Sequence, residues 1–121
     1  MKVKRIKVGI KSVKSILDDF VKAGEAVERG EKVKKETGTY FTSLEAFRKA
    51  LTPKRMELLH IVRTKRPSSI NELARIAKRD VKNVADDLKY LEQVGLIEKK
   101  ETKSRTAPVV TYEKLMLEIA V

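Results

Sequence analysis

Three short helical patterns in close succession restrict the fold of this chain more than any other feature of its sequence. Thr52 suits a helix N-cap, and Pro53 suits the first helical position after it. Ser69 and Asp80 can open two further helices, and Gly95 lies where a glycine C-cap is expected. Between these signals, apolar residues recur at spacings of three and four. The sequence therefore predicts helices over 53–65, 69–77 and 81–94.

The second and third of these helices are joined by a tight turn at Lys78 and Arg79. Glu72 follows Ser69 by three residues, which is the spacing of a capping box. The third helix has an apolar face that is expected to point inward. That face consists of Val81, Val84, Ala85, Leu88 and Leu91.

After Gly95 the apolar period changes from that of a helix to that of a strand. We predict a strand over 96–100, a polar and basic turn over 102–107, and a returning strand over 108–112. A last strand over 115–121 alternates apolar residues on one side and is expected at a sheet edge or in a dimer contact.

The N-terminal third predicts a strand over 3–10 and a helix that starts after Ser12 and ends near Gly30. A polar connector over 31–38 follows, and Thr42 or Ser43 can cap a short helix that reaches Leu51. The long helix carries an apolar stripe that is too broad to stay in water. Its residues are Val13, Ile16, Leu17, Phe20, Val21, Gly24 and Val27.

We therefore expect an α+β chain with two parts. Residues 1–39 form a strand-helix extension that is a candidate for dimerisation. Residues 40–121 form a winged helix-turn-helix domain with a C-terminal strand, because three helices followed by a hairpin are the order of that fold. In such a domain the 81–94 helix enters the DNA major groove and the 96–112 hairpin is the wing.

Charge favours a nucleic-acid partner. The 121 residues carry 28 Lys and Arg against 17 Asp and Glu, which gives a net charge of +11 and a pI near 9.9. A domain this basic is typical of proteins that bind nucleic acids. The alternative is a lysine-rich surface of a heat-adapted protein, but acidic residues would then rise together with the basic ones.

The outward side of the 81–94 helix supplies candidates for reading bases. Asn83 can pair with adenine, and Lys82 can reach guanine or a phosphate. Asp86 can accept from cytosine or pair with a neighbouring lysine. The adjacent acids Asp86 and Asp87 count against strong groove binding.

A second set of side chains is expected to contact the DNA backbone, because it surrounds helix starts, the turn, the outer helix and the hairpin. These candidates are Ser68, Ser69, Lys78, Arg79, Lys89, Tyr90, Lys99, Lys100, Lys103 and Arg105, with Lys54 and Arg55 as weaker ones.

Other chemistries find little support in the sequence. There is no Cys, and His60 is the only His, so a zinc or redox sensor is not indicated. Asp18 and Asp19 are adjacent on a helix and diverge, which favours a solvated surface over a carboxylate pair. We expect no enzyme, no cofactor, no membrane span and a cytoplasmic location.

The segment from Ser69 to Ala74, followed by the segment from Val84 to Ile97, resembles prokaryotic winged-helix regulators of the MarR and ArsR type. A closer resemblance is to a small family of predicted DNA-binding regulators that is common in archaea. The segments that carry it are residues 51–59 and 79–84, together with 40–47. This resemblance covers about residues 28–112. It implies a transcriptional regulator, in some cases the antitoxin of a toxin–antitoxin pair.

Three functions stay open. The chain is expected to be a sequence-specific repressor that binds double-stranded DNA as a homodimer, with the N-terminal helix or the 115–121 strand contributing to the dimer. An antitoxin that binds a toxin protein and regulates its own operon is the second. A non-specific architectural or RNA-binding winged-helix protein is the third.

Overall fold

A computed structural model describes residues 5–31, 38–102 and 104–119, which form an α+β fold with five helices and five strands. The helices are α1 (Val13–Glu28), α2 (Leu44–Ala50), α3 (Pro53–Lys65), α4 (Ile70–Ala77) and α5 (Val81–Gln93). The strands are β1 (Arg5–Ile10), β2 (Gly38–Phe41), β3 (Glu98–Glu101), β4 (Thr106–Val109) and β5 (Lys114–Ile119). The predicted α+β class is confirmed.

Local capping signals placed the helices correctly. The Thr52 hydroxyl accepts from the Arg55 amide at 3.2 Å, and Pro53 is the first residue of α3. The Asp80 carboxylate accepts from the Lys82 amide at 2.8 Å and opens α5. Gly95 adopts a φ of 80° just after α5, a left-handed conformation that favours glycine.

A three-stranded parallel sheet with the order β2-β1-β5 unites the two ends of the described chain. The central strand β1 pairs with β2 from Lys7 opposite Gly38, and with β5 from Arg5 opposite Lys114. Strand β2 was not predicted from the sequence, because a four-residue strand without clear alternation is defined by its distant partner rather than by its own pattern.

The antiparallel hairpin β3–β4 starts later and returns earlier than the sequence predicts. The predicted first strand began at residue 96, but Leu96 and Ile97 are buried in the core instead of pairing. The Leu96 amide donates to the Leu91 carbonyl at 2.9 Å and closes the end of α5. The predicted turn over 102–107 is consequently shorter, since Thr106 and Ala107 already belong to β4.

One hydrophobic core joins helices α2 to α5 to the parallel sheet. Val8 of β1 is 1% exposed and lies in the same cluster as Leu58 of α3 and Leu91 of α5. The division of the chain at residues 39 and 40 stays a prediction, but β1 shares this core. The other buried members are Phe41, Ala50, Leu59, Ile61, Val62, Leu73, Ala74, Val84, Leu88, Leu96 and Ile97.

Helix α1 projects its apolar stripe into solvent. Phe20 is 77% exposed, and Leu17 and Val27 are 58% and 62% exposed. No residue of α1 is buried, and its Lys11–Asp19 contact at 2.9 Å is polar and exposed. Val13 and Val21 of this stripe are also more than half exposed, whereas Ile16 is half-buried.

No helix among the described residues has both the length and the apolar character needed to cross a lipid bilayer.

Candidate nucleic-acid interface

The outward face of α5 presents polar side chains to solvent. Lys82, Asn83, Asp86 and Lys89 are all exposed. The helix is held in place from behind, because Val84 and Leu91 are fully buried and Leu88 is 2% exposed. A helix fixed in this way presents its first two turns rigidly.

The inward face of α5 is narrower than the sequence predicted. Val81 was assigned to that face but is 44% exposed, and Ala85 is half-buried. Because Val81 directly follows the N-cap Asp80, it lies before the first turn that packs on the core. An apolar side chain therefore lies beside Lys82 on the exposed surface.

Asp87 does not share the outward face with Asp86. Its carboxylate accepts from Arg79 Nη2 at 2.7 Å and from Arg55 Nε at 3.0 Å, and it is only 16% exposed. Burial works against ionisation of Asp87, but these hydrogen bonds and charges outweigh burial and lower its pKa. The objection that two adjacent acids disfavour a groove contact thus applies to Asp86 alone.

Arg55 ties α5 to the end of α2. Its Nη1 donates to the carbonyls of Lys49 and Ala50, both at 3.0 Å. Its guanidinium also lies 4.2 Å from the centre of the Tyr90 ring, within cation–π range. The Arg55–Asp87–Arg79 cluster therefore fixes the position of α5 relative to α2, α3 and the turn before α5.

The start of α4 meets the hairpin through one serine. The Ser69 hydroxyl caps α4 by accepting from the Glu72 amide at 3.1 Å. The Ser68 hydroxyl donates to the Glu72 carboxylate at 2.7 Å, and this hydrogen bond lowers the pKa of Glu72. Arg105 Nη1 donates to the Ser68 hydroxyl at 3.3 Å.

The predicted capping box is thus half formed. Ser69 fulfils its part, but the Glu72 carboxylate engages Ser68 instead of the Ser69 amide. The preceding serine competes successfully because its hydroxyl reaches the carboxylate directly. The two serines therefore have different roles, with Ser69 as the cap and Ser68 as a link to the hairpin.

A concave surface of about 600 Å³ lies between α5 and β3. Asp86 and Lys89 line one side, and Lys99 lines the other. Lys99 forms an ion pair with Glu92 at 2.9 Å, which anchors the hairpin to the last turns of α5. Lys100 is exposed, and Lys103 lies outside the described residues.

The remaining side chains that were predicted to contact the DNA backbone differ in their exposure. Lys78 is exposed and adopts a left-handed φ of 56° at the turn between α4 and α5. The Arg79 side chain is 19% exposed with its guanidinium turned to Asp87, and Tyr90 is half-buried under Arg55. Lys54 is exposed at the start of α3. Arg79, Tyr90 and Arg55 are therefore placed to position α5.

Sequence reasoning missed the ion cluster, and no local signal could have revealed it. Arg55 and Asp87 are 32 residues apart, and their pairing depends on how α3 packs against α5. Metal binding gains no candidate site: among residues 5–31, 38–102 and 104–119, no three His, Asp or Glu side chains lie close enough to share an ion. His60 is exposed on α3.

Comparison with known proteins gives one family. No curated protein matches the chain significantly, and no solved structure does so either. The sequence pattern of the family HVO_A0114 matches residues 50–117, from the end of α2 into β5. This span contains α3, α4, α5 and the hairpin, and it covers more than half of the sequence. The chain therefore belongs to the HVO_A0114 family.

Proposed function

We propose that the chain is a winged helix-turn-helix regulator of transcription, related to MarR and ArsR proteins, that binds double-stranded DNA in the cytoplasm as a homodimer. In this proposal α4 and α5 form the helix-turn-helix, α5 enters the major groove, and the β3–β4 hairpin is the wing. Repression is the expected effect, because a regulator bound over a promoter excludes other proteins.

The observation that carries this proposal is the placement of the exposed polar residues of α5 beside a basic hairpin. Lys82 and Asn83 lie in the first turn of α5, where helix-turn-helix proteins read bases. Lys100 and Arg105 lie on the hairpin, and Arg105 reaches Ser68 at the start of α4. A single duplex that follows α5 would meet both sets of side chains.

The net charge of the chain and the fixed position of α5 also support DNA binding. The net charge of +11 favours a polyanion, and phosphate contacts supply most of the affinity of such proteins. The Arg55–Asp87–Arg79 cluster holds α5 by charged hydrogen bonds on its inward side. An α5 held in this way needs little ordering when it binds, which favours affinity.

The test is selection of preferred duplexes from a random pool, followed by fluorescence anisotropy with the selected and a scrambled duplex. We expect at least a thousandfold preference at physiological salt, the lower end for specific regulators. Lys82→Ala and Asn83→Ala are each expected to weaken binding of the selected duplex by about 5- to 150-fold. Lys14→Ala on α1 removes the same charge as Lys82→Ala and serves as its control.

Three outcomes would count against the proposal. Enrichment of no sequence, with equal affinity for all duplexes and a steep loss in salt, would favour an architectural protein. Preference for single-stranded or structured RNA over duplex DNA would favour an RNA-binding protein. Equal effects of Lys82→Ala and Lys14→Ala would remove α5 from the interface.

A second candidate function is that of an antitoxin, and the exposed stripe of α1 is the observation that favours it. Val13, Leu17 and Phe20 are more than half exposed on one face of α1, and none of them belongs to α4, α5 or the hairpin. A toxin protein with an apolar groove would cover them. Co-expression with the product of an adjacent gene, followed by Phe20→Glu, tests this: loss of a stable complex supports the antitoxin, and absence of any complex opposes it.

A further inference from the structure

Strand β5 forms an open edge of the parallel sheet. In the order β2-β1-β5 it pairs with β1 on one side, and no strand among the described residues lies on its other side. Met116, Leu117 and Ile119 are each between 45% and 48% exposed. The six residues of β5 contain no Pro, and a long apolar edge of this kind invites pairing with another strand.

The residue pattern of β5 is suited to pairing with a copy of itself. Around Met116, Leu115 and Leu117 are placed symmetrically, and Lys114 and Glu118 are placed symmetrically with opposite charge. If two copies pair antiparallel with Met116 at the centre, each Lys114 faces Glu118 of the second copy. Leu115 then faces Leu117, so every cross-strand pair from Lys114 to Glu118 is favourable, and the mismatch of Ile119 with Glu113 lies at the flank of the contact.

Neighbouring registers lose this match. Centring the pair on Leu117 places Met116 opposite Glu118, and centring it between Met116 and Leu117 places Leu115 opposite Glu118. Each breaks both Lys114–Glu118 pairs and leaves Glu118 opposite an apolar side chain. The pattern therefore specifies one register as well as one partner.

The charges around Lys114 favour the same arrangement. In the parallel register Lys114 lies opposite Arg5 of β1, so two like charges are neighbours on the sheet. Neither Lys114 nor Arg5 has an acidic partner among the described residues. Glu118 lies 3.2 Å from Lys7 but is 64% exposed, and its carboxylate can accept from a second lysine.

We propose that two copies of the chain associate through antiparallel pairing of β5, centred on Met116, to form one continuous six-stranded sheet. This proposal rests on the proposed function in one respect. A regulator that binds two DNA half-sites as a homodimer requires a two-fold interface, and the β5 contact would supply it. Main-chain hydrogen bonds give the contact its strength, and the Lys114–Glu118 pairs give its register.

Sedimentation equilibrium of the full chain over a micromolar concentration series tests the proposal, since an edge-strand contact is at the small end of interface sizes. Lys114→Glu is the decisive variant. It places an acid beside Arg5 within one copy, which is favourable, and opposite Glu118 of the second copy, which is unfavourable. We expect the dimer dissociation constant to rise at least tenfold.

Two further variants complete the design. In Lys114→Glu/Glu118→Lys the charges across the two-fold axis are again opposite, and we expect the dissociation constant to return to within about threefold of the original. Lys54→Glu, on an exposed site of α3, makes the same change in net charge and is expected to leave it unchanged. Thermal melts of each variant show that the fold is intact.

Several results would overturn the proposal. A chain that stays monomeric throughout the series, or equal behaviour of Lys114→Glu and Lys54→Glu, excludes this interface. A dimer that Phe20→Glu dissociates and Lys114→Glu does not is held by α1 instead. A monomer that still prefers one duplex contradicts the β5 contact and the homodimer but leaves sequence-specific DNA binding in place, whereas a β5 dimer that prefers no duplex contradicts only the proposed function.

Discussion

Asp87 accepts a 2.7 Å hydrogen bond from Arg79, a residue only eight positions earlier that lies in the turn opening the same helix. The bond closes the start of α5 onto its own second turn, and Arg55 completes the cluster from α3. Because all three side chains are at most 20% exposed, removing the carboxylate leaves two cations close together with no counter-charge.

Asp87→Asn is therefore expected to lower the free energy of unfolding by about 2 kcal/mol near pH 7. The pKa of Asp87 is lowered from its usual 3.8, so the contribution of this carboxylate is present above that value and is lost as the pH falls through the lower folded value. Urea denaturation from pH 7 to pH 2 measures it, and the two proteins should converge in acid. Asp86→Asn, one residue away and exposed, should change stability by less than about 0.5 kcal/mol; equal effects of the two would contradict the structure.

Tyr112 is expected to resist ionisation. Its hydroxyl donates to the Leu96 carbonyl at 2.6 Å, and burial raises its pKa to about 12. The neutral phenol thus stabilises the fold fully below the usual value of 10.0, and this contribution is lost as the pH rises through about 12. Tyr112→Phe should cost about 1 to 2 kcal/mol at neutral pH and remove the latest step from the phenolate absorbance titration; an unchanged titration would show that Tyr112 is not the buried phenol.

A side chain at position 9 is expected to destabilise the parallel sheet. A Cβ at this position would lie 2.6 Å from Cδ1 of Tyr40, whose ring is also 4.5 Å from the Lys11 ammonium. Although Ala is ordinarily the better strand residue, Gly9→Ala should destabilise the sheet by about 1 to 2 kcal/mol because the ring must move.

A double-mutant cycle checks the cause of that loss. In a Tyr40→Ala background the same Gly9→Ala change should cost little or be favourable, which gives a coupling energy of about 1 kcal/mol or more. Additive effects in thermal or urea denaturation would place the origin of the loss elsewhere.

Base and phosphate contacts are expected to differ in their salt dependence. If the proposed function holds, Lys100→Ala should weaken binding to preferred and scrambled duplexes alike and reduce the slope of log K against log salt by about 0.9. Asn83→Ala should keep the slope and lose affinity for the preferred duplex only. Anisotropy at four or more salt concentrations separates the two, and a changed slope for Asn83→Ala would argue against a base contact.

The sequence predicted those parts of the fold that depend on near neighbours. Thr52, Ser69 and Asp80 each cap the helix assigned to them, since a cap contacts an amide two or three residues away. The same local logic correctly placed Lys82 and Asn83 on the exposed side of α5.

Features set by distant contacts were not predictable in this way. The pairing of Gly38–Phe41 with β1 and the inward turn of Asp87 both depend on packing between separate elements. Leu96 and Ile97 were predicted to be strand residues because they are apolar and adjoin a hairpin. In the structure both side chains are buried in the hydrophobic core, and neither residue belongs to a strand. The choice of hydrogen-bond partner also depends on geometry where a side chain has two candidates. Glu72 could accept from Ser68 or from Ser69, and in the structure it accepts from the Ser68 hydroxyl.

The parallel register of β1 with β5 has a consequence for synthesis of the chain. Residues 5–10 leave the ribosome before their partner at 114–119, which follows about a hundred residues later, a delay of about 5 to 20 s at ordinary rates of translation. During that interval β1 can pair only with β2, while α3, α4 and α5 can already pack through contacts close in sequence. The nascent chain therefore carries a strand β1 with one unpaired edge until residues 114–119 have been made, and that strand is the segment on which chaperones are expected to act.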